Sequence, residues 1–324
     1  MSSVPVGGTI RRACEFAFRG FLGNLGIVWL PVVLIGTLVM FTVPHMLSGI
    51  SRMLATLSTH RVNPFEIAAG GMIFVRDAVL LGVAALFFRA QMMTGLTERA
   101  LGRRTGFVPF YLSVGPTFWR VFGAYILVSL LLLAVQIAAG VAIVLLSAVF
   151  VATIHGAGAG GTDLGLRMTM GLVYILLRVV LWIVEIYLFI RLTFVLTAVI
   201  VAEQRFDLVR AWQLVRGNIV RIFVVGLVIF IPLFVAMMLV YGLVFAADIL
   251  TLIQSVVHEA AHAGRTPAAI VQQSVDLVRT MLQSRWYLLL PLALIGATLE
   301  YGLAAGAGVA GYQALLAKSD DGAA

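Results

Sequence analysis

Residues Arg191–Arg221 read RLTFVLTAVIVAEQRFDLVRAWQLVRGNIVR, and this stretch decides the fold. After Arg191 the chain runs to Ala202 without a charge. It then turns through a polar segment at Glu203–Asp207. Leu208 to Arg216 follows with charged and apolar residues at helical spacing, the pattern of a short amphipathic helix. Gly217–Asn218 breaks that rhythm, and another apolar run starts at Ile219. The succession describes an apolar exit from a membrane, a helix lying on its surface, a small hinge and an apolar re-entry. The same succession recurs along the chain.

Composition sets the medium. The chain is 62% hydrophobic and 11% charged, with a mean hydropathy of +1.08. A soluble domain of this size carries about a quarter charged residues. The deficit, together with apolar runs of helix-spanning length, predicts an all-α polytopic membrane bundle. Cys14 is the single cysteine, which excludes an internal disulfide framework and a paired-cysteine metal site. The net charge is +8. The basic residues stand beside apolar spans, so the partners implied are membrane lipids with anionic headgroups, not nucleic acid. No cleavable signal peptide is evident.

Working outward, six transmembrane helices are expected in one integral membrane domain over residues 1–324. Their spans fall at about 27–47, 69–93, 122–154, 168–202, 219–249 and 286–316. Residues Thr9 to Gly23 precede the first span and alternate basic and apolar at helical spacing. Arg12 and Arg19 share a face there, with Phe16, Phe18 and Phe21 as apolar surface, so an interfacial helix is expected. Residues 48–67 read as a mixed loop and 251–283 as an amphipathic outer segment. Arg76 and Asp77 lie near the outer end of the second span. Arg89, near its inner end, is placed to snorkel to headgroups. Six spans put both termini on one side, and more Lys and Arg flank the spans on that side than opposite. Both termini are therefore expected in the cytoplasm of a bacterial cell, with the chain in its inner membrane.

Two similarities suggest a threefold repeat. WRVFGAYIL at Trp119 resembles VRIFVVGLV at Val220, aligning Arg120 with Arg221. RACEFAFRGF at Arg12 loosely resembles RAWQLVRGNI at Arg210. The pattern predicts three helical hairpins, each introduced by a surface helix. The plain alternative is that any Arg-aromatic boundary before an apolar run looks alike.

One further pattern carries a family resemblance. It comprises Arg191, the run Ala198-Val199-Ile200-Val201, Glu203, Ala211, Leu214, Arg216-Gly217-Asn218 and Arg221-Ile222-Phe223. Together with the opening GGTIRRACEFAFRGFLGNLG, it resembles the membrane domain associated with glycerophosphoryl diester phosphodiesterases. Thr197 departs from the pattern where a proline is expected, and Trp212-Gln213 where a serine-bearing stretch is expected. Some members of that family carry a soluble barrel phosphodiesterase after the membrane part. The resemblance here is to the membrane part alone and implies no phosphodiesterase activity.

Three groups of residues are candidates for function. His258-Glu259-Ala260-Ala261-His262 places two imidazoles one helical turn apart, where they can bind zinc while Glu259 deprotonates a bound water. A third ligand is not obvious: Asp276 is expected in the same loop, and Glu300 in the sixth span. The plain alternative is a solvated helix with two histidines. Arg178 and Glu185 lie two turns apart on the fourth span, and Glu300 lies on the sixth. A charge at membrane depth costs ~2.5 kcal/mol or more. These three therefore either line a polar path for a small solute or pair to fix packing. Arg12, Arg19, Arg120, Arg191, Arg210, Arg216 and Arg221 form the candidate interface with lipid headgroups. Small residues from Gly302 to Gly311 allow close helix packing, inside the bundle or in a homo-oligomer. The sequence thus points to a non-enzymatic scaffold or lipid- and envelope-associated factor without a cofactor. The alternatives are a zinc metalloprotease and a small-solute transporter.

Overall fold

The computed structural model describes residues 4–58, 64–106, 111–112, 114–156, 163–247, 250–251, 253–254 and 267–320. Helix α1 (Val6–Cys14) runs through a π-helical turn, Glu15–Arg19, into α2 (Phe21–Ser58). Helices α3 (Pro64–Ala100), α4 (Pro116–Gly156) and α5 (Asp163–Thr193) follow. Two short helices, α6 (Leu196–Glu203) and α7 (Leu208–Val215), lead to α8 (Ile219–Val244) and then α9 (Pro267–Asp320). No strand occurs among the described residues.

Among the described residues, six stretches are long and apolar enough to cross a membrane: Phe21–Met53, Pro64–Ala100, Pro116–Leu145, Gly171–Glu203, Ile219–Val244 and Gln283–Ala317. Each overlaps one expected span, so the all-α, multi-pass architecture stands. Most helix boundaries lie further out than hydropathy suggested, although α8 ends at Val244, short of 249. Hydropathy marks the part that lipid solvates, whereas a helix continues past it while its backbone bonds are kept. The expected loop at 48–67 is helix up to Ser58 and again from Pro64. The expected outer segment and sixth span fuse from Pro267 onward into α9, whose 54 residues extend about 80 Å at ~1.5 Å per residue. Asp276 therefore sits on a helix and not in a loop.

The fourth span departs most. It breaks at Phe194–Val195 instead of running straight through 168–202. Every residue of α6 from Leu196 to Val201 is buried. A helix with no polar stripe must be enclosed on all sides, and this one is. It packs against α3, α4, α5, α7 and α9.

The long helices close a ring. In order, α2 meets α3, α3 meets α4, α4 meets α5, α5 meets α8, α8 meets α9, and α9 returns to α2. Helix α6 plugs this ring at one end. Its core joins Phe118 and Val121 of α4, Ala211 and Val215 of α7, Ile222 of α8 and Tyr312 of α9.

The N-terminal helix is seated on the bundle as well as at its rim. Arg11, Arg12 and Arg19 are exposed, while Ala13 and Ala17 are fully buried. These alanines meet the glycine face of α9, where a Cβ on Gly306 would come within 3.0 Å of the Ala13 Cα. A Cβ on Gly302 would stand 3.5 Å from the Ala17 Cα, in ordinary contact. Close packing of small residues is thus spent inside the chain. The Val4 N–H donates to Asn218 Oδ1 at 3.1 Å. Gly217 beside it has φ +82°, a left-handed conformation that explains why the hinge carries glycine.

The three-hairpin expectation holds for the first and third hairpins, introduced by α1 and α7. Ahead of α4 the described residues of 101–115 form irregular chain instead of a surface helix. Tyr111 from this segment is buried against Gly95 of α3, with the Arg104 guanidinium 4.6 Å over its ring.

Candidate functional site

Below the α6 plug, α3, α4, α5, α8 and α9 border a partly open chamber of about 480 Å³. Its walls are mostly apolar, with Arg89, Tyr125, Glu300 and Tyr301 as the polar groups that matter. The Arg89 guanidinium lies 5.3 Å over the Tyr125 ring and 5.9 Å over the Phe189 ring. Its Nε is buried and has no hydrogen-bond partner among the described residues. Arg89 is therefore turned into the ring, a correction to the expectation that it snorkels outward. The aromatic faces keep it there, each such contact contributing about 0.5–2 kcal/mol. Glu300 projects into the same space, and both charges lie within electrostatic reach of the Tyr301 hydroxyl. They form no ion pair with each other among the described residues. The Tyr125 hydroxyl bonds Thr197 of α6 at 2.8 Å, fixing plug to wall.

A second cavity, about 610 Å³, continues from the chamber along the seam between α8 and α9. Phe230, Glu300 and Tyr301 border both. Phe234 and Met238, on the flank of this seam, are exposed. The chamber is thus plugged at the α6 end and reached from the side, through the face that lipid would cover.

Arg178 and Glu185 do not border this chamber. Gln136 of α4 stands between them: its Nε2 donates to Glu185 Oε1, and its Oε1 accepts from Arg178 Nη1 at 3.2 Å. The three make a polar ladder joining α4 to α5 on an exposed face. Packing is the role this geometry serves. Neither Arg178 nor Glu185 joins Glu300, so the path expected from those three charges is not assembled. The sequence flagged Arg178 and Glu185 but missed Gln136, because an amide raises no alarm in an apolar run.

At the plugged end the candidate headgroup arginines divide in two. Arg120 donates to the Gln204 carbonyl. Arg103 donates to the Val201 and Ala202 carbonyls, so that two guanidinium groups cap the α6 C-terminus. Glu203 gathers Arg205 at 2.7 Å, Arg210 at 3.7 Å and the Tyr312 hydroxyl at 3.2 Å. Asp207 caps α7 by accepting from the Arg210 N–H at 2.7 Å. Arg191 packs 3.5 Å over the Trp212 ring and donates to the Tyr187 hydroxyl. Arg120, Arg191 and Arg210 thus hold helices together. Arg12, Arg19, Arg216 and Arg221 are exposed, without an ion-pair partner among the described residues.

Toward the opposite end, Asp77 of α3 is 4% exposed and binds His45 Nδ1 of α2 and Arg76 Nε, the latter at 2.9 Å. The sequence singled out Arg76 and Asp77 but not His45, which is 32 residues away from its partner. His258, Glu259 and His262 lie outside the described residues.

No family model, no curated protein and no solved structure matches this chain. What the site does must therefore be argued from its own chemistry.

Proposed function

We propose that this chain is a non-enzymatic multi-pass protein of a bacterial inner membrane. It acts as a scaffold or lipid-associated envelope factor, with both termini in the cytoplasm. The observation that carries this reading is the division of arginines at the plugged end. Those beside α6 are consumed in capping and ion pairs. Arg11, Arg12, Arg19, Arg216 and Arg221 stay exposed beside the apolar surface of Phe18 and Val220. A rim of unpaired guanidinium groups at the edge of an apolar belt suits phosphate headgroups, at about 1 kcal/mol per residue near an anionic surface. The residues that resemble the phosphodiesterase-associated membrane domain fall on the end of α5, on α6 and α7 with the turn after it, on the start of α8 and, for the opening stretch, on α1 and the start of α2.

Brominated lipids test the rim. In vesicles, brominated phosphatidylglycerol should quench the protein's tryptophans more than brominated phosphatidylcholine at low salt. Arg12→Gln, Arg19→Gln, Arg216→Gln and Arg221→Gln together should abolish the difference. Equal quenching by both lipids in the wild type would remove the basis of the proposal. A fluorescent protein fused to the C-terminus should report the cytoplasmic side.

A further inference from the structure

The chamber holds two opposite charges that do not neutralise each other. Arg89 rests on aromatic faces with its Nε unpaired, and Glu300 has no hydrogen-bond or ion-pair partner among the described residues. Arg89 is half-buried and reaches the Tyr125 hydroxyl, and Glu300 is exposed where the chamber opens to the α8–α9 seam, so each charge meets mostly apolar wall without a counter-ion, which is costly at membrane depth. A ligand with one charge of each sign relieves both at once. An anion alone would satisfy Arg89 but lie against Glu300. A cation alone would do the reverse.

The shape of the space adds a second requirement. The cavity volumes, about 480 and 610 Å³, each fall within the usual range for ligand sites, about 300–1,000 Å³. Along α8 the joined space runs from Ile222 to Tyr241, about 28 Å at ~1.5 Å per residue. That is close to the ~30 Å thickness of a bilayer core. The polar end lies at the chamber, and Leu233, Phe234, Met237 and Met238 line the extension. Methionine and phenylalanine make a deformable apolar wall suited to a flexible chain. Entry is lateral, because α6 closes the ring at the basic end. A water-soluble zwitterion would have to cross lipid to reach the site, whereas a lipid is already beside the opening.

We infer that the chamber and the α8–α9 seam bind one phospholipid whose headgroup carries both a phosphate and a primary ammonium. The phosphate pairs with Arg89, the ammonium with Glu300, and an acyl chain lies along Leu233–Tyr241. The Tyr125 and Tyr301 hydroxyls border the headgroup. This goes beyond the exposed arginine rim: it concerns a different set of residues and a different class of lipid.

Native mass spectrometry of the full chain, delipidated in mild detergent, tests the assignment. The chain is offered phosphatidylethanolamine, phosphatidylglycerol and phosphatidylcholine in equal amounts. The wild type should retain a single phosphatidylethanolamine over phosphatidylglycerol by about tenfold, the factor produced by ~1.4 kcal/mol of one charge-assisted contact. Phosphatidylcholine, with no N–H to donate, should also be weaker. Glu300→Gln should erase the preference for the amine, and Arg89→Gln should weaken every phospholipid. Gly226 borders the chamber and has open space where a Cβ would stand. Gly226→Leu should therefore fill the chamber and expel the lipid while both charges remain. This variant keeps the test decisive if Arg89→Gln fails to fold. Three results would each overturn the assignment: wild type that retains phosphatidylglycerol equally well, Gly226→Leu that retains phosphatidylethanolamine unchanged, or wild type that retains no lipid, the outcome for an Arg89–Glu300 pair bridged by water alone. The rim arginines stay intact in all three variants, so loss of the rim effect and loss of the chamber ligand are separate results.

Discussion

Replacing Arg103 with Met removes the clearest helix cap in the molecule. Helix α6 ends at Glu203, and its last carbonyls point where no further turn can bond them. Arg103 reaches back from the α3–α4 segment, 98 residues away in sequence, to bond Val201 O, and its Nη2 bonds Ala202 O at 2.8 Å. A hydrogen bond to a charged group contributes about 1.5–3 kcal/mol net, and a cation at a helix C-terminus about 0.3–1 kcal/mol more. Water can re-solvate the exposed Ala202 carbonyl after substitution, and Gln204 Nε2 already donates to the Val201 carbonyl at 2.8 Å, so the two bonds do not count in full. The expected loss is about 3 kcal/mol. Arg103→Lys keeps the charge and one bond, and should lose roughly half as much. Arg205→Met provides the control. That guanidinium is 59% exposed in its pair with Glu203, and exposed pairs contribute about 0–1 kcal/mol. Unfolding midpoints in a detergent–SDS titration would rank the variants as wild type, Arg205→Met, Arg103→Lys, Arg103→Met. If Arg103→Met is no worse than Arg205→Met, the plug does not depend on its caps.

Three further outcomes follow from geometry already described. Gly306→Leu drives a side chain into the Ala13 backbone, so α1 should lift from α9 at about 1–3 kcal/mol; maleimide labelling of Cys14, the only thiol, should then speed up severalfold, and an unchanged rate would refute the contact. Tyr125→Phe leaves the buried Thr197 hydroxyl without its 2.8 Å partner and should destabilise the fold by about 1 kcal/mol, less than the Arg103 cap; a loss as large as that of Arg103→Met would show that the bond does more than pin plug to wall. Elemental analysis of the purified chain should find no stoichiometric zinc; one equivalent that disappears in His258→Ala would revive the metalloprotease alternative and end the non-enzymatic one.

The spans were legible because lipid imposes a one-dimensional rule: about twenty consecutive apolar residues per crossing. All six were placed on that basis. The hinge at Gly217–Asn218 was legible for a local reason, since glycine and asparagine favour conformations that end a helix. What escaped depends on distant pairing. The break at Phe194–Val195 has no proline or glycine to announce it; it arises because the chain beyond must turn into the middle of the ring while α5 stays in its wall. Arg103, Glu203 and Tyr312 converge from three separate segments. Arg89 was visible as a charge in an apolar run, but its direction was not, because the aromatic side chains that hold it come from α4 and α5. Glu300 was grouped with Arg178 and Glu185, whereas its neighbour in the chamber is Arg89 and Glu185 belongs to the ladder with Gln136.

Helix α9 joins regions that the membrane would otherwise isolate. Its crossing portion starts at Gln283, yet the helix begins at Pro267, so about 24 Å of helix precedes that portion at ~1.5 Å per residue. Pro291 is the only proline inside it, and it lies between this leading part and Glu300. A sideways load on the leading part would thus be levered about this one pivot and would swing the wall that carries Glu300. Force applied on one side of the bilayer would reach the middle of the ring through a single covalent element.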